Sequence, residues 1–167
     1  MTTVNTGKAE QVLLRLRSAT IDDARTVFAW RNDPWIVSLS SGRHSVTWEE
    51  HADWFRRVLA DPRCLLFIIE SEGGVGAGTA RLERVDEERA VVTIYLLHEF
   101  TGRGLGVRAL AEACARGFAQ WPISAIHASI RRENDRSRKA FKKAGFTDAV
   151  PGPDCPEDHC EMILRRP

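Results

Sequence analysis

A chain of 167 residues is long enough to bury roughly 70% of its unfolded surface in one core and too short for two full domains. Apolar residues at 43%, charged residues at 28% and a formal net charge of +1 exclude a disordered chain and a broad basic surface for nucleic acid. No run approaches about 18 apolar residues and residues 1–10 carry no apolar leader core, so the expectation is a cytoplasmic protein without a membrane partner.

The first element is a strand in "LLRLRSA", where apolar and basic residues alternate over residues 14–16. Thr20 and Asp23 have capping-box spacing. The helix they open, "IDDARTVFAWRND", is expected to stop near Asp33, because Pro34 disfavours helix in the residue before it. A second box, Thr47 with Glu50, opens "WEEHADWFRRVLA", where Trp48, His51, Phe55, Val58 and Leu59 fall near one face. Three apolar or alternating runs follow, "CLLFIIE", "GVGAGTARLERV" and "AVVTIYLL", joined by the short turns "SEGG" and "DEER" as an antiparallel meander. "VRALAEACARGFAQW" has helical spacing through Leu110, Cys114 and Phe118 and ends before Pro122. "SAIHASI" reads as a strand, residues 134–144 as a helix with Gly145 just past its end, and "HCEMILRR" as a last strand. This order places the chain in the α+β class: a mixed sheet with helices on its faces, one domain over 1–167, ordered from about 12 to 165.

Of the four cysteines, Cys155 and Cys160 flank His159 in "DCPEDHC", which would be half a zinc site. No second ligand pair is spaced to complete it, so no metal is expected and reduced thiols are the plainer account.

Chemistry gathers at "TGRGLGVR", residues 101–108. Gly102, Gly104 and Gly106 stand between a strand and a helix whose first turn has free N–H groups and a partial positive charge, an arrangement that cradles phosphate as readily as it makes a plain loop. The spacing fits neither the P-loop nor the Rossmann fingerprint. A second constellation is "RRENDRSRKAFKKAGF", in which Asn134 and Gly145 also serve as helix caps.

Together, "GRGLG" and "N-x-x-S-x-x-x-F-x-x-x-G-F" resemble the GNAT acetyltransferases, whose acetyl-CoA motif is Q/R-x-x-G-x-G/A at a helix start. The resemblance covers residues 13–164. It implies the GNAT fold, a mostly antiparallel sheet of six to seven strands with about four helices, and acetyl-CoA as co-substrate. It further implies that the amides of Arg103, Gly104, Leu105, Gly106 and Val107 hold the CoA pyrophosphate. The pantetheine arm would pair with main chain where the strand ends at Leu97, and Asn134, Ser137 and Phe141 would lie along CoA. Arg132 and Arg138 would reach a CoA phosphate or stay solvated. Thr101 replaces the usual Gln or Arg. Phe141 stands where many relatives carry the Tyr that protonates the departing thiolate, and Phe has no proton to donate.

Transfer to nitrogen needs a neutral amine. Deprotonation at pH 7 costs about 4.6 kcal/mol for a lysine of pKa near 10.4 and about 1 kcal/mol for an α-amino group. Candidates for the base or its water relay are Glu83, His98 and Tyr95; a solvated carboxylate, a solvated loop imidazole and a packed ring are the alternatives. The front half, "FAWRNDPWIVSLS" and "VTWEEHADWFRRVLADP", with Arg81-x-Glu83, is similar to GNAT proteins that acetylate nucleotide-linked deoxyamino sugars of the pseudaminic type. That similarity makes Arg31, Asn32, His51 and Arg81 the acceptor-binding residues. Arg31 as a helix cap and His51 as a packed helix-face residue stand beside it. GNATs acting on protein N-termini share much of this plan, and a silent acyl-CoA-binding module is the third reading. The expected partner is a small amine, a nucleotide sugar foremost; a homodimer is left open.

Overall fold

The computed structural model describes residues 14–40 and 42–167. Residues 1–10, read above for a leader, and residues 12 and 13, where the ordered core and the family resemblance are expected to begin, lie outside the described residues. The elements are β1 (Arg15–Ser18), α1 (Ala24–Arg31), α2 (Pro34–Leu39), α3 (Trp48–Ala60), β2 (Cys64–Glu70), β3 (Gly76–Arg84) and β4 (Arg89–Leu96). They continue with α4 (Leu105–Gln120), β5 (Ala125–Arg131), α5 (Asp135–Lys143), β6 (Thr147–Ala149) and β7 (His159–Arg165). The strands form one seven-stranded sheet in the order β1-β2-β3-β4-β5-β7-β6, antiparallel except where β5 runs parallel to β4. This is the expected α+β architecture, with α1, α3, α4 and α5 each at least eight residues long.

The front of the chain differs from the reading in an instructive way. The Thr20 box opens a short 3-10 turn before α1, and Asp23 accepts the Thr20 N–H at 2.8 Å while gripping Arg17 at 2.7 and 2.8 Å. Hydrogen bonds from the Arg17 guanidinium hold the Asp23 carboxyl below its ordinary range. Arg17 also reaches Glu70 at 2.6 Å, so one side chain ties β1 to both α1 and β2. Pro34 does end α1, but it also begins α2, which the sequence reading lacks. Proline suits the first helical position, and Asp33 caps it by accepting the Trp35 N–H at 2.9 Å.

Strand alternation divides the sheet into two faces. Phe67, Ile69, Ala80, Leu82, Val92, Ile126, Ala128 and Met162 point to the side covered by α4, with Leu105, Ala109, Leu110 and Ala113 against them. On the other side Leu66 and Ile68 meet Val27, Phe55 and Val58 of α1 and α3. Phe55 is fully buried; truncating such a ring to Ala removes about 3–5 kcal/mol of stability. The α1–α3 layer covers β2 and β3, leaving the same face of β4 and β5 for other use. No helix among the described residues is long and apolar enough to cross a membrane.

Candidate active site

The site begins with a failure of pairing. β4 and β5 are in register only where Arg89, Ala90 and Val91 meet Ala125, Ile126 and His127. Beyond that point β4 continues to Leu96 and β5 to Arg131 without each other, so a gap opens between two parallel strands. The Leu97 N–H donates to the Ala77 carbonyl at 2.9 Å, which fixes the alternation: peptide groups at 93, 95 and 97 face β3, and those of Val92, Ile94 and Leu96 face the gap. The Leu97 carbonyl accepts the Phe100 N–H at 3.0 Å. Leu97, expected to pair with a pantetheine arm, therefore has its main chain engaged. The edge presented to a ligand lies one residue earlier, at Leu96 and Ile94.

At the open end of the gap stands the glycine stretch. Gly104 has φ 76°, in the left-handed region, and a Cβ built on it meets nothing within 4 Å. The glycine is required by backbone conformation, and the space before it is open. The first bond of the α4 ladder runs from the Arg108 N–H to the Gly104 carbonyl at 3.2 Å, so the N–H groups of Leu105, Gly106 and Val107 precede it, with exposed Arg103 alongside. Thr101 donates its hydroxyl to the His98 carbonyl at 2.7 Å and accepts from Arg136 at 2.8 Å. A guanidinium of α5 thus stands on the residue that replaces the basic letter of the motif.

On the α5 side, Asn134 caps the helix by accepting the Ser137 N–H at 3.1 Å. It also lines, with Ser38, Leu39, Arg131, Glu133, Asp135 and Arg136, a depression of about 470 Å³. Phe141 is buried with its ring edge-on to Phe146 at 4.9 Å. Arg132 donates to the Glu157 carbonyl at 3.1 Å and Arg138 to Asp135 at 3.2 Å, local bonds on the surface.

The sheet face opposite α4 carries rows of side chains on β3, β4 and β5 set by the register, the Thr79 end buried and the Glu83 end open. Glu83, Val91 and His127 form one row; Arg81 and Thr93 the next; Thr79 and Tyr95 the third. Arg81 donates to Glu83 at 3.1 Å and lies over the Trp54 ring at 5.8 Å. Burial pushes the Tyr95 hydroxyl up to about 12, with the Thr79 hydroxyl and the Arg31 charge pulling the other way, so it acts only as a neutral phenol near pH 7. His98 is exposed at the cradle end of β4, edge-on to Trp35 at 4.6 Å. By strand rise it lies on the order of 20 Å from Val91, where the gap closes, which separates it from Glu83 and places it beside the cradle.

The acceptor-side residues divide as well. Arg31 donates to the His44 carbonyl at 3.3 Å rather than capping its own helix. Asn32 exchanges two hydrogen bonds with the Val46 main chain, at 2.8 and 2.9 Å, which fix its amide to the loop before α3 and leave one N–H and one lone pair over. His51 is buried among Phe28, Trp48, Trp54 and Phe55 and donates from Nε2 to the Ala24 carbonyl at 2.9 Å. It is a core residue and does not reach the cleft.

Burial lowers the His51 pKa, the Ala24 carbonyl opposes this, and Arg31 adds to it. Because the unfolded chain then binds more protons, the His51 contribution is complete above an unfolded pKa of about 6.5 and is lost as pH falls through that value toward the folded pKa. We expect Tm to fall between pH 7 and pH 5, and His51→Gln to flatten that slope in calorimetry while leaving acetyl-CoA binding unchanged. A variant with the same slope would remove His51 from the account.

His159 and Cys160 are consecutive residues of β7 and so point to opposite faces. Among the described residues no three His, Cys, Asp or Glu side chains gather as metal ligands. The sequence reading singles out neither Leu96, Ile94 and Arg136 nor the polar alternation of His127, Ser129 and Arg131 along "SAIHASIR"; only the last leaves a local trace, a period of two.

Comparison with known proteins agrees with this geometry. The acetyltransferase (GNAT) domain description matches residues 14–147. The chain is 24% identical over 136 residues to spermidine N(1)-acetyltransferase of Escherichia coli K12, covering 80% of this chain and 73% of that one. A domain from Methanocaldococcus jannaschii superposes with TM-score 0.80 at 20% identity, covering 93% of this chain and all of that one. Vibrio cholerae spermidine N-acetyltransferase, solved with CoA and spermine, gives 0.78 at 17% identity over 91% and 95%. An aminoglycoside acetyltransferase solved with coenzyme A and kanamycin gives 0.79 at 20% identity over 92% and 95%. With the parted strands, the glycine-opened helix and the family match in agreement, the chain belongs to the GNAT family of N-acetyltransferases, whose co-substrate is acetyl-CoA.

Proposed function

We propose that this enzyme, acting as one domain, acetylates the amino group of a nucleotide-linked deoxyamino sugar. The observation that carries the acceptor is the state of the charges around the open face. Its carboxylates are already engaged: Glu83 with Arg81, Glu133 with Arg43, Asp158 with Arg131 and Glu161 with His127. A depression of about 490 Å³ is lined by Arg43, Arg131, Arg132, Glu133 and Asp158, so that after the Arg43–Glu133 and Arg131–Asp158 pairs the Arg132 charge is left in excess. A polyamine or aminoglycoside, itself polycationic, would meet like charge there; a diphosphate would meet forked donors.

In this reading the amides of Arg103 through Val107 hold the CoA pyrophosphate, and Arg103 and Arg136 add charge beside them. The pantetheine arm lies in the gap as a surrogate strand against Leu96 and Ile94, with Asn134 and Ser137 on the far wall. Arg31 and Arg81 take the anionic part of the acceptor. Glu83 accepts a hydrogen bond from its amine, and Tyr95 offers a neutral hydroxyl nearby. Phe141 packs the wall and leaves the thiolate to be protonated by water, a tolerable course for a thiol of pKa near 8.5.

The test is thiol release from acetyl-CoA with UDP-linked 4-amino sugars, free amino sugars, Ser- or Ala-initiated peptides and spermidine. We expect kcat/KM for the nucleotide sugar to exceed that for the free sugar at least tenfold. Turnover of peptides or spermidine with none of the sugars overturns this acceptor, and tight acetyl-CoA binding with no acceptor-dependent release identifies a silent module.

A further inference from the structure

On the open face, at the closed end of the gap, stands a pair that neither the motif nor the family match assigns. His127 of β5 sits opposite Val91, the last paired residue of β4, so it borders the point where the strands part. Its neighbours Ile126 and Ala128 point into the α4-side core, which sends His127 to the acceptor face with Glu83. Its Nδ1 lies 2.6 Å from Glu161 Oε1, and the other carboxylate oxygen accepts the Gly152 N–H at 2.8 Å. The side chain is 18% exposed, anchored yet reachable.

Those bonds settle the tautomer. Burial raises the Glu161 pKa, but the Gly152 N–H, the His127 hydrogen bond and the nearby charges of His127 and Arg89 outweigh it and hold the carboxyl below its ordinary value. An ionised carboxylate only accepts, so Nδ1 carries a proton, and in the neutral ring it is Nε2 that holds the lone pair. A carboxylate orienting an imidazole whose other nitrogen is basic is an arrangement suited to general-base chemistry.

We propose that His127, oriented by Glu161, is the base that takes the proton from the acceptor amine. This rests on the proposed function, with the pantetheine arm in the gap, and seats the acetyl thioester at the closed end of that gap, beside Val91 and His127. The amine lone pair attacks the thioester carbonyl carbon, forming the C–N bond; His127 Nε2 removes one N–H proton; the tetrahedral centre collapses and the C–S pair leaves with sulfur. The thiolate takes a proton from water, and the imidazolium returns its own proton to solvent, so the products are the acetamide and CoA thiol. Glu161 is a positioning residue throughout.

The experiment combines kinetics with a structural readout. With acetyl-CoA and a UDP-linked 4-amino sugar, His127→Gln and His127→Ala are expected to lower kcat about 100-fold or more with KM for acetyl-CoA within twofold. The acid limb of the wild-type kcat/KM profile should disappear in both variants, and added imidazole should restore part of the His127→Ala rate. Charged or titratable groups facing His127 are Arg89 on β4, Glu83 beyond it on β3, Glu161 and Arg165 on β7, Arg131 along β5, and Cys155 beside Ser129. Glu161→Gln should lower kcat less than His127→Gln does.

Undiminished kcat in folded His127 variants, or an acid limb that survives them, overturns the proposal. So does long-range 15N–1H NMR of the wild-type protein showing the proton on Nε2, a measurement that needs no variant to fold. If acetyl-CoA binds but no sugar is turned over, the acceptor reading fails by itself, and His127 is tested on slow acetyl-CoA hydrolysis, where water supplies the proton. If acetyl-CoA does not bind at all, the seating fails and the proposal with it.

Discussion

Gly104→Val raises the Kd for acetyl-CoA by tenfold or more, about 1.4 kcal/mol at the least, in a protein that still folds. The expectation comes from two facts about one residue. Its φ of 76° lies in the left-handed region, where an L side chain costs about 1–2 kcal/mol. The Cβ would also project into open space, clear of protein for 4 Å, where the proposed seating brings the pyrophosphate to the amides of α4. The strain lowers Tm by only about 2–8 °C in a chain of this size, while the branched side chain keeps the ligand off the cradle. Titration calorimetry with acetyl-CoA beside thermal unfolding separates the effects, and Gly104→Ala should give a similar Tm with a smaller loss of affinity. An unchanged Kd in the folded valine variant would falsify the cradle.

Gly78→Ala acts through stability and through the gap at once. A Cβ there would lie 2.1 Å from the Tyr95 carbonyl oxygen and 2.9 Å from the Leu96 Cα, both backbone atoms of β4 that no rotamer change can move aside. β3 and β4 must separate locally. We expect a loss of about 3 kcal/mol, the upper end for overpacking, and a Tm lower by about 6–12 °C. The edge at Ile94 and Leu96 moves with β4, so kcat/KM for acetyl-CoA should fall even well below Tm. A variant within 2 °C of wild type and with full activity would show that the strands give way freely at this point.

What could be read from the sequence was what local chemistry decides. The bounds of α3 follow from the Thr47 and Glu50 box and a helical apolar stripe, and both hydrogen bonds of the box are present at 3.3 and 2.8 Å. The glycine-opened start of α4 is legible because positive φ is a property of single residues. Pro34 misled because it stops one helix and starts another, and only the Asp33 cap distinguishes the cases. The engagement of the Leu97 main chain is not legible, because a strand's peptide direction is set by its partner, here Ala77 on β3, not by its own letters. The burial of His51 depends on four aromatic rings from two helices. The His127–Glu161 pair joins residues 34 apart in sequence, and no spacing rule relates them.

The small α2 has a mechanical meaning beyond its six residues. Its Trp35 touches His98 at 4.6 Å and lies under Arg136 at 5.6 Å, and Arg136 in turn holds Thr101 at the mouth of the cradle. One indole of the front half thus braces the segment just before α4 from two directions. A helix of six residues, too short to be stable alone, is held in place by the stretch it supports.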